Sequence, residues 1–178
     1  MRNRGGMSRG PIPTLTFRIP NSAFGILVFL AACTPITTRP DFRPDPRALV
    51  IILDARPERV TTVLDSLVPA ESLEVAHANI RDGYVETAWY DTQAHRTRHH
   101  EREITNMAAT VKLRFWADPW VPGQTRLTVE PVYRPRYDPS RPERDLELIA
   151  PKEHEGYKIA ERFVNKLKER LGVPKAAR

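Results

Sequence analysis

Hydrophobic spacing changes character several times along the chain. Residues 48–53, Ala-Leu-Val-Ile-Ile-Leu, form an unbroken apolar run, the pattern of a strand buried on both faces or at a sheet centre. From Pro57 the spacing becomes helical, because Val60, Val63, Leu64 and Leu67 fall on one face. Pro57 suits a first turn, where its missing N–H costs nothing, and Glu58 favours the positive end of the helix dipole. Pro69 ends this helix. Residues 73–80 and 84–90 then alternate, and the Arg81-Asp82-Gly83 turn between them predicts a β-hairpin, since Asp-Gly tolerates positive φ. In this reading His77 shares a face with Leu73 and Val75 as a hydrogen-bonded structural histidine, and Trp89 shares the core face with Val85. Residues 91–103 read as a polar connection.

Alternation returns at 110–116, where Val111, Leu113 and Phe115 point one way and Lys112, Arg114 and Trp116 the other. Pro119, Pro122 and Gly123 mark a turn, and residues 126–130 alternate again. Pro131 cannot donate to a ladder, which puts this strand at an edge or at a bulge. After a loop at 134–144, Tyr157, Ala160, Val164, Leu167 and Leu171, widened by Phe163, make the apolar stripe of a closing helix. Lys158, Glu161, Arg162, Lys166, Lys168 and Glu169 form its wet face, and Gly172 and Pro174 stop it. Solvation and helix capping account for Lys152-Glu153-His154-Glu155 at its start. The order β-α-β-β-β-β-α predicts an α+β, two-layer domain over 48–178, with an antiparallel sheet of about five strands and both helices on one face. Roughly 130 residues suffice for one independent core.

The segment before this domain has a different logic. Arg2, Arg4, Arg9 and Arg18 precede the uncharged run 22–32, which ends in Leu30-Ala31-Ala32-Cys33. The run is shorter than the roughly 20 apolar residues of a spanning helix and has signal-peptide proportions. Residues 1–34 resemble a bacterial lipoprotein signal peptide with its lipobox. The resemblance implies cleavage before Cys33, with a thioether-linked diacylglycerol and an acylated amino group there; no other cofactor is expected. It implies a protein tethered to a membrane of the cell envelope. Thr34, in place of Asp, favours the outer membrane with the domain facing the periplasm. Residues 33–47 would be the lipidated N-terminus and a linker interrupted by Pro35, Pro40, Pro44 and Pro46. At ~3.1 Å per residue an extended linker reaches on the order of 40 Å and holds the domain clear of the bilayer. Alternatively it packs on the domain, with Phe42 as its anchor.

Charge then looks different. The net +6 of the whole chain falls to +2 without residues 1–32, which supply four arginines and no acid. No RNA-binding aromatic signature or zinc-finger spacing is present, so no nucleic-acid partner is expected. Lipidation of Cys33 uses the chain's one cysteine, leaving no thiol for a disulfide or metal site.

Chemistry-bearing residues are sparse. His95, His99, His100 and Glu101 are the only metal-ligand candidates, but Arg96, Arg98 and Arg102 oppose a cation and the stretch has turn composition, so no metal site is expected. Ser66, Ser72 and Ser140 lie in no nucleophile elbow, and no glycine-rich phosphate loop occurs; no enzyme is expected. Trp116 and Trp120, with Lys112 and Arg114, are the binding candidates, since Trp and Arg anchor interfaces. Trp116 among cations also fits a cation–π or cross-strand pair within the domain. The helix at 57–68, the strand 83–89, two further strands and the long closing helix together resemble the helix-grip domain of BamC-type outer-membrane assembly lipoproteins. Over 48–172 that resemblance implies a helix laid across a curved sheet, and a shared fold does not carry function. The lipid anchor, the spacer, the compact domain and the lack of a catalytic set point instead to a non-enzymatic module that binds an envelope protein. Two alternatives stay open: an apolar-ligand or lipid carrier, with Tyr157, Phe163, Val164, Phe115 and Trp89 around a pocket, and a metal-binding protein using 95–101.

Overall fold

The structure, a computed structural model, describes residues 39–40, 43–100, 104 and 106–174. The signal segment, Cys33, Phe42 and Glu101 lie outside the described residues. The elements run β1 (Leu49–Leu53), α1 (Pro57–Ala70), β2 (Val75–Asn79), β3 (Tyr84–Thr87), β4 (Trp89–Asp91), β5 (Arg96–Arg98), β6 (Thr110–Pro119), β7 (Thr125–Tyr133), β8 (Leu148–Ile149) and α2 (Glu155–Leu171). All eight strands belong to one antiparallel sheet, ordered β1-β7-β6-β3-β2, with β4 also on β6, β5 outside β4, and β8 on β7. The α+β class and the two helices agree with the sequence reading. Among the described residues the strand count is eight rather than about five.

Both helices cover the same face. Val60, Leu64 and Leu67 of α1 and Ile159, Phe163, Val164 and Leu167 of α2 join Val85, Leu113, Phe115, Leu127 and Val129 of the sheet in one buried cluster. Phe115 and Phe163 meet with centroids 5.6 Å apart and planes tilted by 59°. His154 caps α2: its Nδ1 accepts from the Gly156 N–H at 3.0 Å, so its Nε2 carries the proton donated to the Ala108 carbonyl at 2.6 Å. Among the described residues no helix is long and apolar enough to cross a membrane.

Five sequence expectations are corrected. β1 is an edge strand, paired only with β7, and Val50 is 56% exposed. β7 is interior despite Pro131. β1 stops opposite Val129 and β8 starts opposite Val132, while the Pro131 carbonyl accepts from Ala150 N–H at 2.8 Å. The proline nitrogen, on the same side as that carbonyl, therefore meets the gap between two neighbours. A bulge between Val75 and His77 sets an exposed His77 opposite Glu86, away from the core. One extra residue also intervenes between β3, where Glu86 faces Arg114, and β4, where Tyr90 faces Val111. That slip moves Trp89 from the core face to the opposite face. Finally, residues 91–98 fold as a hairpin. Asp91 accepts from the N–H groups of Gln93 and Ala94 at 3.0 and 2.9 Å, His95 adopts φ 51°, and Arg98 returns to Asp91 at 2.6 Å. The pair is buried, so an ion pair takes the place of the apolar alternation that would have flagged β5.

The linker packs on the domain. Arg39 donates to the Asp82 carbonyl at 2.8 Å and to Asp118 at 2.6 Å, and the Asp45 N–H bonds Glu130. The 40 Å spacer is replaced, over its described part, by a strap on the sheet.

Candidate functional site: a charged cleft under the linker

The sheet face opposite the helices was expected to be wet. Its central strands carry Tyr84 and Glu86 on β3, Lys112, Arg114 and Trp116 on β6, and Thr128, Glu130 and Val132 on β7, which alternation alone places together. Register aligns Glu86, Arg114 and Glu130 in one row across three strands, and Tyr84, Trp116 and Thr128 in the next. Two irregular segments cover these rows. The linker brings Asp45, and the stretch before β8 brings Glu147.

The result is a buried charge lattice. Lys112 Nζ lies 2.9 Å from Glu86 and 3.0 Å from Glu147. Arg114 reaches Glu147 at 2.6 Å, Glu86 at 3.6 Å and Glu130 at 3.9 Å. The Tyr84 hydroxyl donates to Glu86, and its ring leans on Trp116 with centroids 5.4 Å apart. Trp89 is clasped between the Lys112 ammonium at 4.7 Å and the Arg134 guanidinium at 4.6 Å from its ring centre. Arg134 in turn donates to Glu143 at 2.9 Å.

Titration follows the geometry. Burial pushes Glu86 up, but Lys112, the Tyr84 hydroxyl and Arg114 outweigh it and hold the carboxyl below its ordinary range. Burial opposes the charge of Arg114, and Glu147 and Glu86 overcome it, raising that group's pKa. Burial likewise raises Glu130, which the Asp45 N–H and the more distant Arg114 offset only in part. Burial and Glu86 together raise the Tyr84 phenol.

A cleft of about 490 Å³ opens beside this lattice, between the linker (Arg43, Pro44, Asp45, Pro46) and β8 (Leu148, Ile149), with Arg114, Glu130 and Glu147 in its floor and Arg144 at its rim. Its volume lies within the range of small-ligand and peptide sites. Its floor is occupied by mutually engaged charges, and among the described residues no nucleophile stands next to a base there.

The expected binding set is thus split. Trp116 is fully buried, and Lys112 and Arg114 are nearly so, which corrects their placement on an exposed face. Their carboxylate partners went unread, although Glu86, Glu130 and Glu147 each lie on or beside strands facing Lys or Arg. Trp120 alone of the four stays outside, 54% exposed at the β6–β7 turn, with the Arg126 guanidinium 5.6 Å from its ring centre. The histidines do not converge. His95 meets the Tyr90 hydroxyl at 3.5 Å, His99 lies 3.6 Å from Glu74, and His100 is exposed. Among the described residues no group of three or more His, Cys, Asp or Glu is placed to hold a metal ion. Phe115, Phe163 and Val164 are packed against one another in the core, with Tyr157 half-buried, and Trp89 lies across the sheet from them. No family model, curated protein or solved structure matches the chain.

Proposed function

We propose that this chain is a lipid-anchored bacterial envelope protein whose α+β domain is a non-enzymatic protein-binding module. Leu30-Ala31-Ala32-Cys33, closing an uncharged run behind four arginines, supports the anchor on Cys33. Thr34 supports the outer membrane, with the domain in the periplasm. One observation favours binding over catalysis. Glu130 and Glu147, the glutamates in the cleft floor, are engaged by Lys112, Arg114 or the linker, and so serve to hold the strap and the sheet together. The cleft rim offers exposed Arg43 and Leu148, an arginine–apolar mixture suited to a protein partner.

Two measurements test this. Metabolic labelling with a fatty-acid probe should mark the wild type and be abolished in Cys33→Ser; persistent labelling refutes the anchor. Crosslinking in intact cells should trap a specific envelope protein, with capture lost in the Arg43→Glu/Leu148→Asp variant. Recovery of free monomer alone refutes the binding role.

A further inference from the structure

The linker leaves the domain at a defined place. Arg39 ties the β2–β3 turn, through the Asp82 carbonyl at 2.8 Å, to the end of β6, through Asp118 at 2.6 Å. Asp118 also lies 3.8 Å from Arg126, whose guanidinium covers the Trp120 ring. The two turns are joined a second time where Ala117 N–H donates to the Gly83 carbonyl at 2.7 Å. Three of the seven large apolar side chains exposed among the described residues stand on these turns: Ile80 at 43%, Trp120 at 54% and Val121 at 47%. Thr34, Pro35, Ile36, Thr37 and Thr38 are all that separate Cys33 from Arg39. Fully extended, that tether spans on the order of 20 Å, half the reach of a free linker.

We propose that the β2–β3 and β6–β7 turns are a bilayer-contacting edge, with Trp120 and Val121 seated among the headgroups of the membrane that carries the Cys33 lipid. This rests on the anchor reading above. The short tether holds this end of the sheet nearest the bilayer. An indole flanked by arginines is the residue set that partitions into the headgroup layer, with the ring in the apolar boundary and the cations reaching phosphate. Arg39, Arg81 and Arg126 outnumber Asp82 and Asp118 on these segments, which suits an anionic surface. The charged cleft lies toward the other end of β7: from Arg126 to Val132, at about 3.3 Å per residue, is roughly 20 Å. A domain seated on its turns would hold that cleft toward the periplasm.

The test uses the acylated full-length mature protein, reconstituted in phosphatidylethanolamine–phosphatidylglycerol vesicles with brominated acyl chains. Bromolipid should quench tryptophan emission in the wild type. Quenching should be largely lost in Trp120→Phe, because Trp116 is fully buried and Trp89 is clasped near the far end of β6. Val121→Asp should weaken it with the Trp120 reporter intact. Equal quenching in wild type and Trp120→Phe, or none in the acylated wild type, overturns the proposal while leaving the anchor standing. Absence of acyl label on Cys33 overturns both. A photo-crosslinker at position 121 that captures a protein rather than phospholipid overturns the lipid assignment.

Discussion

Arg114→Met removes the guanidinium that joins three carboxylates on the covered sheet face. The group is 7% exposed and lies 2.6 Å from Glu147, 3.6 Å from Glu86 and 3.9 Å from Glu130. Methionine retains much of the stem's apolar packing, so the loss reports charge rather than a cavity. Lys112 would be left as the one cation of the set. Deleting one partner of a buried pair costs about 3–5 kcal/mol, because the other charge stays buried. For a domain of this size that is a drop in Tm on the order of 10–20 °C. The pH dependence follows from sign. In the wild type the folded pKa of Glu86 is depressed, so its contribution is present above its unfolded value of about 4.3 and is lost as pH falls through the folded value. Without Arg114, Glu86 loses one of the charges that hold its pKa down and Glu130, already raised by burial, loses an offsetting one; both losses weigh on the ionised forms and are relieved as those groups protonate. The destabilisation should therefore be largest near pH 7 and shrink toward pH 4. Urea titrations at both pH values, followed by tryptophan emission, measure it. At pH 7 the Arg114→Met/Glu147→Gln pair should be more stable than Arg114→Met alone, having one fewer uncompensated charge. A loss below about 1 kcal/mol, or one equal at both pH values, would refute the charge-lattice account.

Four further outcomes are expected in the same assay. Glu130→Gln should raise the urea midpoint at pH 7, since burial raises this carboxyl's folded pKa and its ionised form opposes folding; the gain should fade as pH falls through that pKa. Gly83→Ala should cost about 2–5 kcal/mol, combining left-handed strain at φ +66° with a Cβ placed 2.3 Å from the Ala117 carbonyl oxygen. Gly123→Ala, at φ +85° with nothing within 4 Å, should cost about 1–2 kcal/mol; equal losses at the two glycines would remove the steric argument. His154→Ala should cost about 1 kcal/mol by freeing the first turn of α2, and an unchanged midpoint would refute the cap.

Much of the helix-covered face was legible. Val60, Leu64 and Leu67, and later Phe163, Val164 and Leu167, bury the faces that their spacing marked, because helical period is a property of neighbours in sequence. Gly83 took the positive φ that an Asp-Gly turn requires, and His154 took the capping place. Trp89 was misread for a reason that alternation cannot express: one extra residue between β3 and β4 inverts every later side chain, and only pairing with β6 reveals it. β5 escaped notice because Asp91 and Arg98 fill the place of an apolar pair.

The candidate site was half legible. Lys112, Arg114 and Trp116 were singled out as one face, and they do share it. Period-two alternation sorts residues between faces but carries no information about what covers each.

By itself, then, the sequence determined the α+β class, the two helices and their common face, all of which are written in spacings of a few residues. Tertiary structure alone decided that the second face is covered. Asp45 and Glu130 are 85 positions apart, Arg39 and Asp118 79, and Arg114 and Glu147 33. Complementary charges so far apart leave no local period, and a buried ion pair and an exposed charged face share the same letters. They differ only in whether a distant segment returns to exclude water, which here turns an expected wet surface into the second interior of the domain.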